Sequence, residues 1–329
     1  MKKYTLKKPA SPEEERAHSG RHFQIDYRNQ LNPAQYEAVT STDGPHLIIA
    51  GAGTGKTRTV TYRVAYLVEL GVKPESILLL TFTRRAAQEM LRRASILLDA
   101  RCEKVAGGTF HSFANLVLRQ YSRVIGFEPS FTILDQGDAE DVVNLLRTQK
   151  RFDTREKRFP RKQTLFDVFS KSVNTSTSID KILMEEYPHY EDYLEEFLDL
   201  QAAYTQYKAK HNLMDYDDLL LFLRKLLEEH LHVRNALTER YKYVMVDEYQ
   251  DTNRIQAEIV RLLAGKHRNV MVVGDDSQSI YSFRGATIRN ILDFPEEFPG
   301  CKIIKLEENY RSTQPILSLT NEILRRARE

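Results

Sequence analysis

The sequence predicts an α/β fold: a parallel sheet flanked by helices, interrupted by an all-helical subdomain. Three observations predict it. First, six short apolar runs of mostly β-branched or aliphatic residues read as strands: His46–Ala50, Ile77–Phe82, Val105–Thr109, Tyr243–Asp247, Val270–Gly274 and Lys302–Leu306. Second, these runs are near-continuously apolar, as suits strands covered on both faces. Third, strand signals vanish between about 114 and 210, where Asp138–Arg147, Leu165–Val173 and Tyr190–Lys210 read as helices. The sheet is therefore expected from two separated pieces, 29–113 and 211–329, with 114–210 as a helical insertion. Residues 1–28 carry Pro9, Pro12 and Gly20 without periodicity and read as a loose tail.

The chain has 329 residues. That is about two domains at roughly 150 residues each. Charged residues make up 29% and hydrophobic residues 41%, which argues against a collagen-like, disordered or membrane-spanning chain. Apolar stretches such as Ile77–Leu80 fall far short of the ~20 residues that a bilayer requires. Two cysteines, Cys102 and Cys301, rule out a disulfide framework or a Cys-rich metal site. The basic start lacks a following apolar run, so no secretory signal is read and a cytoplasmic location is expected.

Net charge is only +2 and by itself gives no reason to expect nucleic acid. The total hides segregation. Residues 147–171 hold nine Lys/Arg and three acids, a local excess of +6, while residues 181–199 hold seven acids and one lysine. Such blocks are either solvated helix faces or, for the basic one, a patch facing phosphates.

The strand His46–Ala50 runs into Gly51-Ala52-Gly53-Thr54-Gly55-Lys56-Thr57, followed by Arg58 and a helical stretch. Strand, glycine-rich loop and helix in that order make a phosphate-binding P-loop. The glycines let backbone amides turn around phosphate oxygens, and the helix N-terminus adds partial positive charge. Lys56 is expected to reach the β- and γ-phosphates, and the Thr57 hydroxyl to ligate Mg²⁺. Ala50 stands where the full pattern has glycine. A P-loop also needs an acidic partner. Asp247 and Glu248 supply it at the end of an apolar strand, where ligands sit in such sheets. Asp247 is the candidate metal ligand and Glu248 the candidate base for the attacking water.

Beyond the P-loop, an ordered series of blocks carries a family resemblance. They are Leu31–Gln35, Thr81–Met90, Gly108–Phe113, Met214–Leu220, Asp247–Asp251, Val273–Ala286 and Glu308–Ser312. Together with the P-loop they resemble the front half of a UvrD/Rep/PcrA-type superfamily 1 DNA helicase. The resemblance implies a RecA-like ATP-binding domain using ATP and Mg²⁺, and translocation on single-stranded DNA, 3′-to-5′, in repair or replication. Single strands and single-strand/duplex junctions are the implied partners. It also implies roles. Gln35 reads the adenine edge, although Asn32, Pro33 and Gln35 equally fit a helix-capping box. Gly51, Ala52, Gly53, Thr54, Gly55, Lys56, Thr57 and Arg58 line the nucleotide. Tyr310 stacks on the base, and Arg311 contacts the γ-phosphate.

Gln278 senses that phosphate, and Arg284 ties its loop to the acids. Phe82, Tyr281 and Phe283 form an aromatic platform for bases, although Phe82 could equally be sheet core. Thr83, Arg84, Thr109 and His111 contact the DNA backbone. Asp215 and Tyr216 suit a hinge or structural role. Arg84 stands where the family usually has Asn, and Ser277 where it commonly has Asp. The chain ends one helix after Asn309-Tyr310-Arg311-Ser312, which reads as a fragment lacking a second RecA-like domain and hydrolysing ATP poorly alone. The motor of an AddA/RecB-like helicase–nuclease, or a non-motor ATP- and DNA-binding module, are the competing readings.

Overall fold

The computed structural model describes residues 23–152, 159–275 and 286–327. Its strands are β1 (His46–Ala50), β2 (Ile77–Thr81), β3 (Ala106–Thr109), β4 (Thr132–Ile133), β5 (Leu213–Met214), β6 (Tyr243–Val246), β7 (Val270–Gly274) and β8 (Lys302–Leu306). Six of them form one parallel sheet in the order β3-β2-β6-β7-β1-β8. All six expected strands are present. Phe82, Val105 and Asp247 fall just outside them.

The apolar runs are continuous because the sheet is covered on both faces. Side chains alternate along a strand, so neighbours serve opposite cores. Leu78 and Leu80 join Leu47, Val244 and Val246 on one face, under the helices Phe110–Tyr121, Tyr216–Glu229 and Arg254–Ala264. Ile77 and Leu79 join Ile48, Met245 and Val273 on the other, under Lys56–Glu69 and Arg84–Leu97. Each such buried side chain contributes about 1.5–3 kcal/mol.

The helical insertion has a core of its own, built around Leu165, Phe169, Leu183, Phe197 and Leu200. Its packing begins near Leu134, later than the expected 114. The helix Phe110–Tyr121 buries Phe113, Ala114, Val117 and Leu118 in the sheet's core. Lost strand signal cannot distinguish a helix that covers the sheet from one that leaves it. The chain leaves and returns side by side, with β4 and β5 paired in parallel, Thr132 opposite Leu213 and Ile133 opposite Met214.

At this root, helix Leu194–Lys210 delivers Lys208 between two acids. Its ammonium lies 2.6 Å from both Asp215 Oδ2 and Asp218 Oδ2, and the Tyr204 hydroxyl donates to Asp215 at 2.9 Å. Asp215 also caps the helix Tyr216–Glu229 in a box with Asp218.

The supposed tail is partly structured. Phe23, Ile25 and Tyr27 alternate toward the helix Lys56–Glu69, and Tyr27 meets Tyr66 edge-to-face with ring centroids 5.0 Å apart. Tyr27 donates to Glu69 at 2.7 Å. Residues 23–28 therefore pack, which corrects the expected end of the tail. The short alternation of three apolar residues was the available signal.

Three lysines in the described part of the basic block meet acids of the same helical unit. Lys150 pairs with Asp199 at 2.6 Å, Lys162 with Asp141 at 2.5 Å, and Lys171 with Glu186. This favours solvated, paired faces over a phosphate patch. Among the described residues no helix is long and apolar enough to cross a membrane.

Candidate functional site

The order of the sheet places the ends of β1 and β6 close together, with β7 between them. Each ends at the carboxyl edge. The loop after β1 is bent by Gly53 (φ +81°) and Gly55 (φ +91°), conformations open to glycine without strain. Side chains at either position would also collide. A Cβ on Gly53 would come within 2.7 Å of Arg311 Cβ, and one on Gly55 within 2.6 Å of Gln35 Nε2. Thr54 closes the loop, its amide and hydroxyl both donating to the Gly51 carbonyl, at 3.3 and 2.8 Å. Gly51, Ala52 and Thr57 flank this turn, with Thr57 in the first turn of the helix that Lys56 opens.

Lys56 is buried, and its ammonium donates to Glu248 Oε2 at 2.7 Å. Glu248 itself sits at φ +52°, a left-handed position uncommon for a residue with a side chain and a feature that clusters at functional sites. Gln250 fixes the same carboxylate, its amide donating to Glu248 Oε2 at 2.8 Å while its Oε1 accepts from the Asp275 amide at 3.1 Å. Gln250 thus joins the ends of β6 and β7. Sequence reasoning missed it, because an amide beside two acids reads as an ordinary polar turn.

Asp247 is the most perturbed acid of the site. Burial, then the neighbouring Glu248 charge, pushes its carboxyl up to about 7, with Lys56 opposing. Its Oδ1 is buried with no hydrogen-bond partner among the described residues. Asp251, likewise raised by burial and then by Glu248, reaches about 6. A buried carboxylate oxygen without a donor is costly unless a cation or proton satisfies it.

A second feature lies on the other side of the loop. A cavity of about 390 Å³ is lined by Gln30, Asn32, Gln35, Gly53, Arg58 and Tyr310, among others. Of the two readings the sequence allowed for Gln35, the structure shows the helix cap. Gln35 completes the capping box with Asn32, and its Nε2 reaches out to the Thr54 carbonyl at 3.0 Å. Tyr310 is exposed, with its hydroxyl held between Asn32 (2.8 Å, as acceptor) and Glu308 (2.6 Å, as donor). Its backbone amide donates to Gly53 at 2.9 Å, and Asn309 Nδ2 to Ala52 at 2.6 Å, so the Asn309–Ser312 segment is pinned to the loop. Arg311 follows, exposed, with its amide held by Asn309. Arg58 lies over the Tyr62 ring, 4.8 Å from its centroid, and donates to the Gln30 carbonyl at 2.8 Å.

The residues expected to touch DNA are partly gathered. Phe82 is 39% exposed, beyond the end of β2, and does not serve the sheet core. Phe82, Thr109 and His111 line a cavity of about 650 Å³ between the carboxyl edge and the insertion, and Asp247 and Glu248 line it too. Thr83 and Thr109 spend their hydroxyls as helix caps, accepting from Ala86 and Ser112. Arg84 is exposed. Burial holds the His111 ring below the usual imidazole range, which favours its neutral form. It meets Tyr216 edge-to-face at 5.9 Å. Gln278, Tyr281, Phe283 and Arg284 lie outside the described residues.

Comparison with known proteins identifies the family. Residues 31–299 match the model of the UvrD/REP helicase N-terminal domain. The chain is 38% identical over 298 residues to the ATP-dependent DNA helicase PcrA of Staphylococcus aureus (strain Mu50 / ATCC 700699), covering 90% of this chain and 40% of that protein. It is 39% identical over 297 residues to the ATP-dependent DNA helicase PcrA of Bacillus subtilis (strain 168), covering 90% and 39%. The chain thus spans about two fifths of the length of these curated relatives. With the P-loop, the paired acids and the pinned Tyr310 segment in one edge of one sheet, the chain belongs to the UvrD/REP helicase N-terminal domain family.

Proposed function

We propose that this chain is the ATP-binding and single-strand-binding portion of an ATP-dependent DNA helicase, translocating 3′-to-5′ on single strands and at single-strand/duplex junctions in repair or replication. The observation that carries the proposal is the contact of Lys56 with Glu248 at 2.7 Å beside the partnerless Asp247 Oδ1. Phosphoryl transfer needs a fixed cation for the transferring group and a carboxylate for the attacking water, and this pair supplies both.

Lys56 moves from Glu248 to the β- and γ-phosphates when nucleotide enters. Glu248, freed and still oriented by Gln250, then accepts a proton from the attacking water. Arg311 stands over the loop as a second cation for charge on the γ-phosphate. Gln35 reads the base edge and Tyr310 stacks on the base, in the cavity that Arg58 also lines. Asp247 and the Thr57 hydroxyl fit Mg²⁺, because a cation would satisfy the buried orphan oxygen. Among the described residues no three acids, histidines or cysteines form a metal site by themselves, so Asp247 and Thr57 are the residues that would hold the ion. Mg²⁺, when bound, supplies charge neutralisation on the phosphates. Phe82, with Tyr281 and Phe283, stacks on bases, Thr83, Arg84, Thr109 and His111 approach the backbone, and Gln278 and Arg284 link the two sites.

The test is direct binding. A fluorescent ATP analogue with Mg²⁺ should bind the chain, and Lys56→Ala should weaken that binding at least about tenfold, one lost charge-assisted contact being worth ~1.5–3 kcal/mol. Equal affinity in the variant would overturn the assignment.

A further inference from the structure

One polar chain crosses from the insertion to the acidic segment. Asn174, in the insertion helix Lys162–Thr175, donates through Nδ2 to Asp217 Oδ1 at 2.7 Å. Its Oδ1 accepts from Asn253 Nδ2 at 2.8 Å. Asn253 is buried, caps the helix Arg254–Ala264, and stands directly after the turn that carries Glu248 and Asp251. Asn253 also meets residues from the stretch between β7 and β8. It forms an isolated bridge with Ala286, and Asn290 Nδ2 donates to the Thr252 carbonyl at 2.9 Å and the Asn253 carbonyl at 3.1 Å.

The amide orientations are dictated by their neighbours. Asn253 Oδ1 accepts from the Gln256 amide at 2.9 Å, so its Nδ2 must face Asn174. Asn174 must turn its Nδ2 to Asp217, since the reverse would set a carbonyl oxygen against a carboxylate. The two asparagines therefore hold one register between the insertion and the end of the acidic turn. Both ends of the link border the large cavity that Phe82, His111 and Glu248 also line. Helix packing alone would let the insertion slide against this edge, but a directional pair permits one arrangement.

We propose that Asn174 is a positioning residue that couples the helical insertion to the nucleotide-binding acids through Asn253, so that nucleotide at Lys56 and Glu248 changes how firmly the insertion is held. The inference rests on the nucleotide-site reading above. Hydrogen exchange of the chain, with and without a non-hydrolysable ATP analogue and Mg²⁺, tests it. Nucleotide should change amide exchange in the helix Lys162–Thr175 by about fivefold or more, the lower end of ordinary coupling between sites. Asn174→Ala should abolish that change, while nucleotide still binds with an affinity shifted by no more than about the same fivefold factor, since coupling between two sites is reciprocal.

Asn174→Asp should also abolish it, by setting a carboxylate against that of Asp217. Asn174→Asp combined with Asp217→Asn should restore it, because Asn253 can still donate to the new carboxylate and the new amide can donate from the other side. No nucleotide-dependent change in the parent helix, or an undiminished change in Asn174→Ala, would overturn the coupling. Failure of the double variant to restore what the single variants lose would overturn it as well. Loss of nucleotide binding in the parent would instead strike the function proposed above.

Discussion

Lys56 and Glu248 are 192 residues apart in the chain and 2.7 Å apart in the fold. The ammonium is buried and the carboxylate about one-third exposed. In the function proposed above, nucleotide phosphates and Glu248 compete for this one cation.

Glu248→Gln should separate binding from chemistry. Losing the competing charge frees Lys56 for phosphate, so nucleotide affinity should rise up to about fivefold, the range of a partly exposed ion pair. DNA-stimulated hydrolysis in the full-length protein that carries this chain should fall at least about a hundredfold, the scale of a lost general base. Titration with a fluorescent nucleotide and a steady-state phosphate assay measure the two separately. Parent-like turnover would remove Glu248 from the reaction.

Phe82→Ala should weaken single-strand binding and spare the fold. The ring is exposed beyond β2, so its removal leaves no core cavity. Stacking on one base is worth ~1–3 kcal/mol, or about fivefold to over a hundredfold in affinity. Anisotropy of a labelled oligothymidine reports the affinity and thermal denaturation reports the fold. A large drop in melting temperature with unchanged DNA affinity would return Phe82 to a structural role.

Asp218→Asn should remove a pH dependence of stability. Lys208 serves two buried acids, so one excess negative charge is left at the root of the insertion. Burial, then the Asp215 charge, pushes Asp218 up to about 6, although Lys208 opposes the shift. A carboxyl with a raised folded-state pKa stabilises the fold fully below its unfolded value near 4, and that stability is lost as pH rises through about 6. From pH 4 to 7.5 the variant should therefore gain on the parent, by up to roughly 3 kcal/mol. Urea unfolding at both ends of that range measures the difference. A difference independent of pH would show that Asp218 titrates normally.

Much of this was legible in residue order. Six apolar runs became the six strands of the sheet because each is covered on both faces, which leaves no polar alternation to confuse the pattern. Asn32 was read as a helix cap and is one, and Thr83, Thr109, Asp215 and Asn253 cap helices by the same local geometry, although none of those four was read that way. The edge of the insertion was not legible. Phe113, Val117 and Leu118 look the same in sequence whether they cover a sheet or build a separate helical core. Gln250 and Asn174 were also hidden, since an amide shows its importance only when its partners are known.

By itself the sequence determined the P-loop, the acidic strand end and the helix caps, because each is a contact within a few residues along the chain. Only the tertiary structure decided that Lys56 meets Glu248, that Tyr310 is pinned to Gly53, and that Asn174 reaches Asn253. Those contacts depend on the strand order β3-β2-β6-β7-β1-β8 and on where the insertion returns. Strand order is a global choice among packings that bury the same apolar faces, and no local pattern encodes it.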